Sequence, residues 1–241
     1  MTESALGDKI SEIIACSIVI VRLYIQIARM NMNTPVLDGL KIVANLMAVS
    51  VCTAPKAGGV DWIQSKLATG EEKNNISRIM QEIGESKEKA ISKSSKDRGA
   101  AIRMDWMSDA KSVESSALLF LIGIQGRKVV GINCGGCGFS ACSEMLEHHP
   151  LSKDEVDFPG PFCMFRIMDL SIAAGSAVKT AMDHNVDNRM MQKIGVAALK
   201  LGLLNPCNLI LGIPLAATGK NIFFDRPEKL AAWKILSSKR D

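Results

Sequence analysis

Aromatic side chains are scarce in this chain: one tyrosine, three tryptophans and seven phenylalanines among 241 residues. Few ring platforms are available for stacking on bases, which counts against a nucleic-acid binder. Charge of one sign is scarce as well. The net charge is +4, and the basic residues are scattered rather than gathered into a stripe, so the footprint of a protein that grips a phosphate backbone is missing. There are three histidines, and they do not cluster with other acid–base groups. No Ser–His–Asp pattern occurs, no carboxylate pair stands at metal-ligand spacing, and neither a Walker nor a dinucleotide fingerprint appears. No internal repeat is evident. Any catalysis would then rest on bound cofactors rather than on a side-chain constellation. Glu3 and Asp8 stand where a secretory leader carries basic residues, so a cytoplasmic protein is expected.

Hydrophobic residues make up 47% of the chain, enough for an ordinary core. Cysteine is plentiful and odd in number, at seven. In a reducing compartment clustered thiols serve metal binding or redox chemistry more often than disulfides. Residues 10–28 are strongly apolar, but Glu12, Arg22 and Gln26 interrupt them, and Arg22 would lie deep in a bilayer. The segment reads as a buried or subunit-interface helix, not a membrane span.

The remaining pattern is mixed. Residues 31–35 read as a loop and 37–51 as a helix, with Asp38 placed to cap it. Residues 52–59 form a Pro/Gly loop. Residues 60–67 and 71–93 have helical character, and the Ser/Lys-rich stretch 86–98 reads as a solvated face or loop. Two short apolar runs, 117–124 and 128–132, have strand length and suggest a hairpin around Gln125-Gly126-Arg127 or two strands paired elsewhere. A long helix is expected over 162–182, a second over 188–201 capped by Asp187, a strand over 208–213, a turn at Gly219-Lys220 and a closing helix around Trp233. Helices dominate a mixed order, which makes the class α+β.

One segment carries chemistry: Gly131-Ile132-Asn133-Cys134-Gly135-Gly136-Cys137-Gly138-Phe139-Ser140-Ala141-Cys142. Its spacing is C-x2-C-x4-C. Short spacers let thiolates converge on one point, and glycines allow the left-handed turns that such convergence needs. Their N–H groups can form a concavity for cluster sulfides, and Phe139 can shield one side. A four-iron, four-sulfur cluster needs a fourth thiolate. Cys163 follows Gly160-Pro161 at a predicted helix start, where the helix dipole favours the anion. Cys16, Cys52 and Cys207 sit in apolar or loop contexts and read as small hydrophobes. Zinc is the rival metal, with His148 and His149 nearby; their plainer role is as exposed polar residues before Pro150.

This loop, with the later Cys163, resembles that of a family of uncharacterised proteins described as containing a ferredoxin domain. The resemblance extends to Thr53-Ala54-Pro55-Lys56 followed by Gly59 and Asp61, to residues 168–181, to Asn185-Val186-Asp187-Asn188-Arg189, and to Gly212-Ile213-Pro214-Leu215 with Gly219-Lys220-Asn221-Ile222. It covers roughly residues 38–226. A more distant similarity, carried by Ala54-Pro55, Asp61-Trp62, Gly202-Leu203 and Gly212-Ile213-Pro214, is to FMN-dependent nitroreductases. That similarity implies a nitroreductase-like three-layer α+β fold, a homodimer, and FMN with its phosphate on Lys56, Lys220 and Arg226. The arginine pair typical of the nitroreductase N-terminal region is absent, and Cys52 stands where an arginine is usual.

The expected organisation is therefore a helical extension over 1–36 and a nitroreductase-like domain over 37–241, with a cysteine-rich cluster segment at 131–163. The expected function is an iron–sulfur redox protein, in electron transfer or as a flavin-dependent oxidoreductase. Its partner would be a redox protein or a small-molecule acceptor, with no nucleic acid and no membrane. The alternative is a non-enzymatic scaffold holding zinc or a structural cluster.

Overall fold

In the computed structural model, residues 34–152, 156–224 and 226–237 are described. The chain divides into a unit of residues 1–39 and a unit of residues 40–241. Of the first, only residues 34–39 are described, and they open a helix. The helix expected over 10–28 lies outside the described residues.

Helix α1 spans Thr34–Thr53. It starts earlier than expected, so Asp38 lies inside it and is not its cap. Leu40, Val43, Ala44, Met47 and Val51 are buried, the i, i+3, i+4, i+7 spacing of one helical face. A 3-10 turn, Ala57–Gly59, follows. Strand β1 is Ile63–Ala68, where a helix was expected. Asp61 accepts a hydrogen bond from the Ile63 N–H (2.9 Å) and turns the chain into the strand. The deciding factor is non-local: β1 completes the hydrogen bonding of one edge of β2.

Helix α2, Gly70–Ile91, and helix α3, Lys96–Ser115, form an antiparallel pair. Helix α3 was not expected, because its buried face is partly polar and breaks the apolar periodicity: Asp105, Asp109 and Ser112 are buried beside Trp106, Ala110 and Val113. Strand β2, Leu118–Ile124, is buried at every position, as a continuous apolar run predicts for a strand covered on both faces. It pairs antiparallel with β1 on one side and with β4, Leu209–Ala216, on the other. The two-residue strand β3, Asp187–Asn188, completes the order β1-β2-β4-β3. With both edges of β2 occupied, residues 128–132 cannot pair back on it, and the expected hairpin is replaced by an irregular strip.

The six-residue helix α4, Cys142–Glu147, follows that strip. Helix α5 is Met164–Asp183 and helix α6 is Gln192–Lys200. Asp187 is strand, not cap; Met191 occupies the α6 N-cap position and bridges to Gly212 instead. Helix α7, Pro227–Ser237, ends the described chain. The result is three layers: α2, α3, α6 and α7 on one face of the sheet, the sheet itself, and α5 on the other, against β2 and β3. Alternation along β2 serves both faces, with Leu119 and Leu121 joining the α2–α3–α6 core. Helix α6 lies directly on β4. A Cβ on Gly195 would stand 1.6 Å from the Ile210 carbonyl oxygen, and one on Gly212 2.0 Å from Ile194 Cγ2.

Charges, not only apolar contacts, join α3 to α6 and α7. Lys193 bonds both Asp105 and Asp109. Lys229 bonds the same two carboxylates at 2.7 and 2.5 Å, and Arg226 reaches Asp109 at 2.7 Å. All five side chains are buried. Burial pushes the Asp109 carboxyl up, but the Lys193 and Lys229 ammoniums and their hydrogen bonds outweigh it and hold it below the ordinary 3.8. The folded state thus binds that proton less readily than the unfolded chain. Its stabilisation is full above the ordinary carboxylate range and is lost as pH falls through the depressed folded value. Asp109→Asn leaves buried cations uncompensated and is expected to cost about 3–5 kcal/mol at neutral pH. Urea midpoints followed downward from neutrality should show a shallower acid decline below about pH 4 for the variant than for the parent.

Candidate redox site

The site is organised at the start of α5. Cys163 occupies the N-cap position and is buried. Its N–H donates to the Gly126 carbonyl (2.8 Å), and its own carbonyl accepts from Arg166 and Ile167 (3.0 and 3.2 Å). The residue thus stands at the N-terminal end of a twenty-residue helix.

One turn on, Arg166 and Asp169 are both buried and pair at 2.5 Å. Each also serves a separate loop. Arg166 Nε donates to the Lys128 carbonyl (2.6 Å), and its Nη1 donates to the Ala57 carbonyl (3.4 Å). Asp169 accepts from the Ala57 N–H (2.8 Å). The pair thereby ties the Pro55–Lys56–Ala57 loop and the strip before the cysteines to one helix. Asp169 therefore both pairs with Arg166 and caps the backbone of the Ala57 loop.

The cysteine loop coils through four positive-φ residues: Gly131 (88°), Asn133 (48°), Gly135 (73°) and Gly138 (89°). Gly138 N–H closes a turn on the Gly135 carbonyl (2.9 Å). Asn133 Oδ1 accepts from the Cys142 N–H (2.9 Å) and draws the two ends of the loop together. Asparagine tolerates the left-handed region better than most residues, so Asn133 satisfies both the backbone and the bond. Gly136 is seated on α5: a Cβ there would meet Met164 Sδ at 2.5 Å. Met164 is the residue after Cys163, so the loop rests beside the fourth cysteine. Glu144 accepts from Ser140 Oγ and from the Ser140 and Ala141 N–H groups (2.9, 3.1 and 3.4 Å), and the Ser140 bond is the main reason its carboxyl is held below its ordinary value. Phe139 and His148 place their rings 5.5 Å apart. Arg127 Nη2 donates to the carbonyls of Met145, Leu146 and His148 at the end of α4.

Cys134 is exposed, and Cys137 and Cys142 are half-buried. Among the described residues, no three His, Cys, Asp or Glu side chains gather as a set that could hold a metal ion. The structure thus brings the loop against the start of α5 but does not converge the thiols. The donor set fits a cluster in its chemistry: four thiols, three of them in a glycine-turned loop and one at a helix start. His148 and His149 are exposed.

The three residues assigned to a flavin phosphate do different things. Lys56 has a side chain only 6% exposed; it donates to the carbonyls of Val51 and Cys52 (both 2.6 Å) and pairs with Asp61 (3.2 Å). It caps the end of α1. Arg226 donates to Asp109 and Ser112 Oγ (2.7 and 3.1 Å) inside the buried charge network. Lys220 is exposed after β4. Cys52 is exposed, while Cys207 is buried and its thiol is pushed up to about 11 by that burial; Cys16 lies outside the described residues. The roles of Asn133 and Arg127 escaped the sequence reading, as did the carboxylate pair of α3. An asparagine one residue before a Cys-Gly-Gly-Cys run was the available signal for the first.

Fold and site together define an α+β protein in which a glycine-turned cysteine loop rests, through Gly136, against the helix that Cys163 begins. The profile of a family described as "Uncharacterized protein containing a ferredoxin domain (DUF2148)" matches residues 159–226, which include Cys163, Arg166 and Asp169. An uncharacterized protein of Archaeoglobus fulgidus is 40% identical over 192 residues, spanning 80% of this chain and 94% of the relative. The chain belongs to this family of proteins containing a ferredoxin domain. Similar solved structures include a nitroreductase with bound FMN from Desulfitobacterium hafniense (TM-score 0.44, 11% identity, 74% of this chain and 78% of that one). A nitroreductase-like family protein from Bacillus cereus is similar to the same degree (TM-score 0.44, 11% identity, 75% and 76%). Nitroreductase A of Vibrio parahaemolyticus gives a TM-score of 0.43 at 11% identity over 75% of this chain, which spans 60% of that protein's length.

Arg166→Met would strand the buried Asp169 carboxylate and release the Lys128 carbonyl. A loss of about 3–5 kcal/mol is expected by urea unfolding. Arg166→Met with Asp169→Leu should lose less than the sum of the two single changes, by about 1–3 kcal/mol of coupling.

Proposed function

We propose that this chain is an iron–sulfur redox protein, with Cys134, Cys137, Cys142 and Cys163 as the ligands of a four-iron cluster. The observation that carries the reading is the seating of Gly136 on Met164. It sets a C-x2-C-x4-C loop beside a buried thiol at a helix N-terminus, and membership of a family described as containing a ferredoxin domain supports it. When bound, the cluster supplies one-electron transfer.

The chain's own residues would do the rest. The α5 N-terminus positions Cys163 beside the loop. Asn133 fixes the loop ends through Cys142, Phe139 packs its ring against His148, and Arg166 with Asp169 holds the strip from which the loop springs. The electron partner is a redox protein or a small-molecule acceptor, in a compartment such as the cytoplasm that keeps thiols reduced. Flavin has weaker support: Lys56 and Arg226, both assigned to its phosphate, have their charges engaged within the fold.

The quaternary reading is a homodimer. Exposed apolar side chains run along α1 at Ile42, Leu46 and Val49 and along α5 at Met168 and Ile172. The two helices meet through Ser50 and Thr180 (2.5 Å). Single scattered apolar residues are ordinary on a surface, but rows on adjoining helices mark an interaction face. Light scattering should give the mass of two chains, and Ile42→Asp with Val49→Asp should give one. A monomeric parent removes the dimer from the reading.

The test of the cluster is chemical. Protein prepared anaerobically should be brown and carry about four irons per chain. Cys163→Ser or Cys137→Ser should lose most of the iron and the visible absorption while keeping the far-ultraviolet circular dichroism. A colourless, iron-free protein after anaerobic reconstitution overturns the reading. Stoichiometric zinc in its place would support the scaffold alternative.

A further inference from the structure

A cavity of about 420 Å³ lies where β2 gives way to the strip that leads to the cysteines. Its lining includes Trp62, Arg127, Lys128, Leu146, Pro206 and Asn208. The size is within the usual range of small-molecule sites. Two features of the wall are chemical rather than geometric.

The first is charge. Arg127 and Lys128 stand next to each other in sequence and both line the cavity. Neither pairs with a carboxylate among the described residues. Arg127 gives its Nη2 to three backbone carbonyls, and its solvent-excluded Nη1 has no hydrogen-bond partner among the described residues. Lys128 Nζ sits over the Trp62 ring, 4.8 Å from its centre. Two positive charges on one wall raise the local concentration of anions and favour one that enters.

The second feature is the opposing character of the rest. The Trp62 indole, Leu146 and Pro206 form an apolar surface, and Asn208 is held by its Oδ1 bond to the Gly126 N–H (2.7 Å). A ligand that fits must carry a flat apolar body and a negative group at one end. An inorganic anion would leave the apolar wall unused. A neutral ring would leave the charges unmet.

We propose that this cavity binds a small aromatic carboxylate, with its ring against Trp62 and its carboxylate at the Lys128 ammonium. Arg127 supplies charge from behind the same wall and fixes the wall to the end of α4. The site adjoins the cluster segment through the chain itself. Gly126, just before Arg127, accepts from the Cys163 N–H, and the Lys128 carbonyl accepts from Arg166. On the redox reading the ligand is a candidate small-molecule electron partner, but binding itself requires no cluster.

The experiment titrates 1-naphthoate, 1-naphthamide and inorganic phosphate into the full chain, read by calorimetry and by tryptophan fluorescence, with iron measured on the same preparation. Naphthoate should bind saturably with a millimolar or better constant, and the amide about tenfold more weakly, as loss of a charge-assisted bond predicts. Trp62→Leu should weaken naphthoate about tenfold and remove most of the fluorescence response. Lys128→Gln, an exposed change that leaves the fold intact by circular dichroism, should weaken naphthoate several-fold and bring the acid and the amide closer together. Equal binding of acid and amide overturns the proposal, as does naphthoate binding that survives Trp62→Leu unchanged, or phosphate binding that matches naphthoate. Failure to bind below about 10 mM overturns it too. If iron is present and naphthoate does not bind, only this proposal falls. If naphthoate binds to protein that cannot be loaded with iron, only the cluster reading falls.

Discussion

The Arg166–Asp169 pair is the constraint on which the site depends. Both side chains are buried, so each needs partners, and the partners available are backbone groups of two distant loops. The guanidinium takes carbonyls from residues 57 and 128, and the carboxylate takes the amide of residue 57. A buried ion pair of this kind contributes little net stability against an apolar isostere, yet losing one partner is costly. Its value lies in specificity. It places the loop after α1 and the strip before the cysteines at fixed positions around the first turn of α5, where Cys163 stands.

The cysteine loop uses that frame. Its left-handed residues let twelve residues fold back on themselves, Asn133 closes the ends, and Gly136 admits Met164 where a side chain would clash. Helix α4 is held from outside by Arg127 rather than by a long apolar face. The loop is therefore built from backbone hydrogen bonds and glycine contacts, with exposed or half-exposed thiols. That is a suitable platform for a ligand that supplies the missing cohesion, as metal groups do when their ligands are not fully assembled without them.

On the opposite face of the sheet, a second charged cluster plays a structural part. Asp105 and Asp109 meet three cations from α6 and the start of α7. Together with the close approach of α6 to β4, this network ties the C-terminal helix to α3. Within this network Arg226, which sequence resemblance placed at a flavin phosphate, pairs with Asp109.

The sequence by itself determined much of the frame: the α+β class, the long helix after Gly160-Pro161, the buried strand at 118–124, the last strand and the closing helix. In each of these, hydrophobic periodicity or a turn residue acts locally, within a few positions. It also singled out the four cysteines, because spacing and glycine content are local properties. Tertiary structure alone decided the rest. Residues 63–68 became a strand because β2 had an open edge, and 128–132 did not because both edges were then filled. Helix α3 was illegible because its buried face carries carboxylates whose countercharges lie some 85–125 residues away. The apposition of Gly136 to Met164, and of Lys128 to Trp62 in the cavity wall, likewise depends on contacts between segments far apart in the chain, which no local pattern encodes.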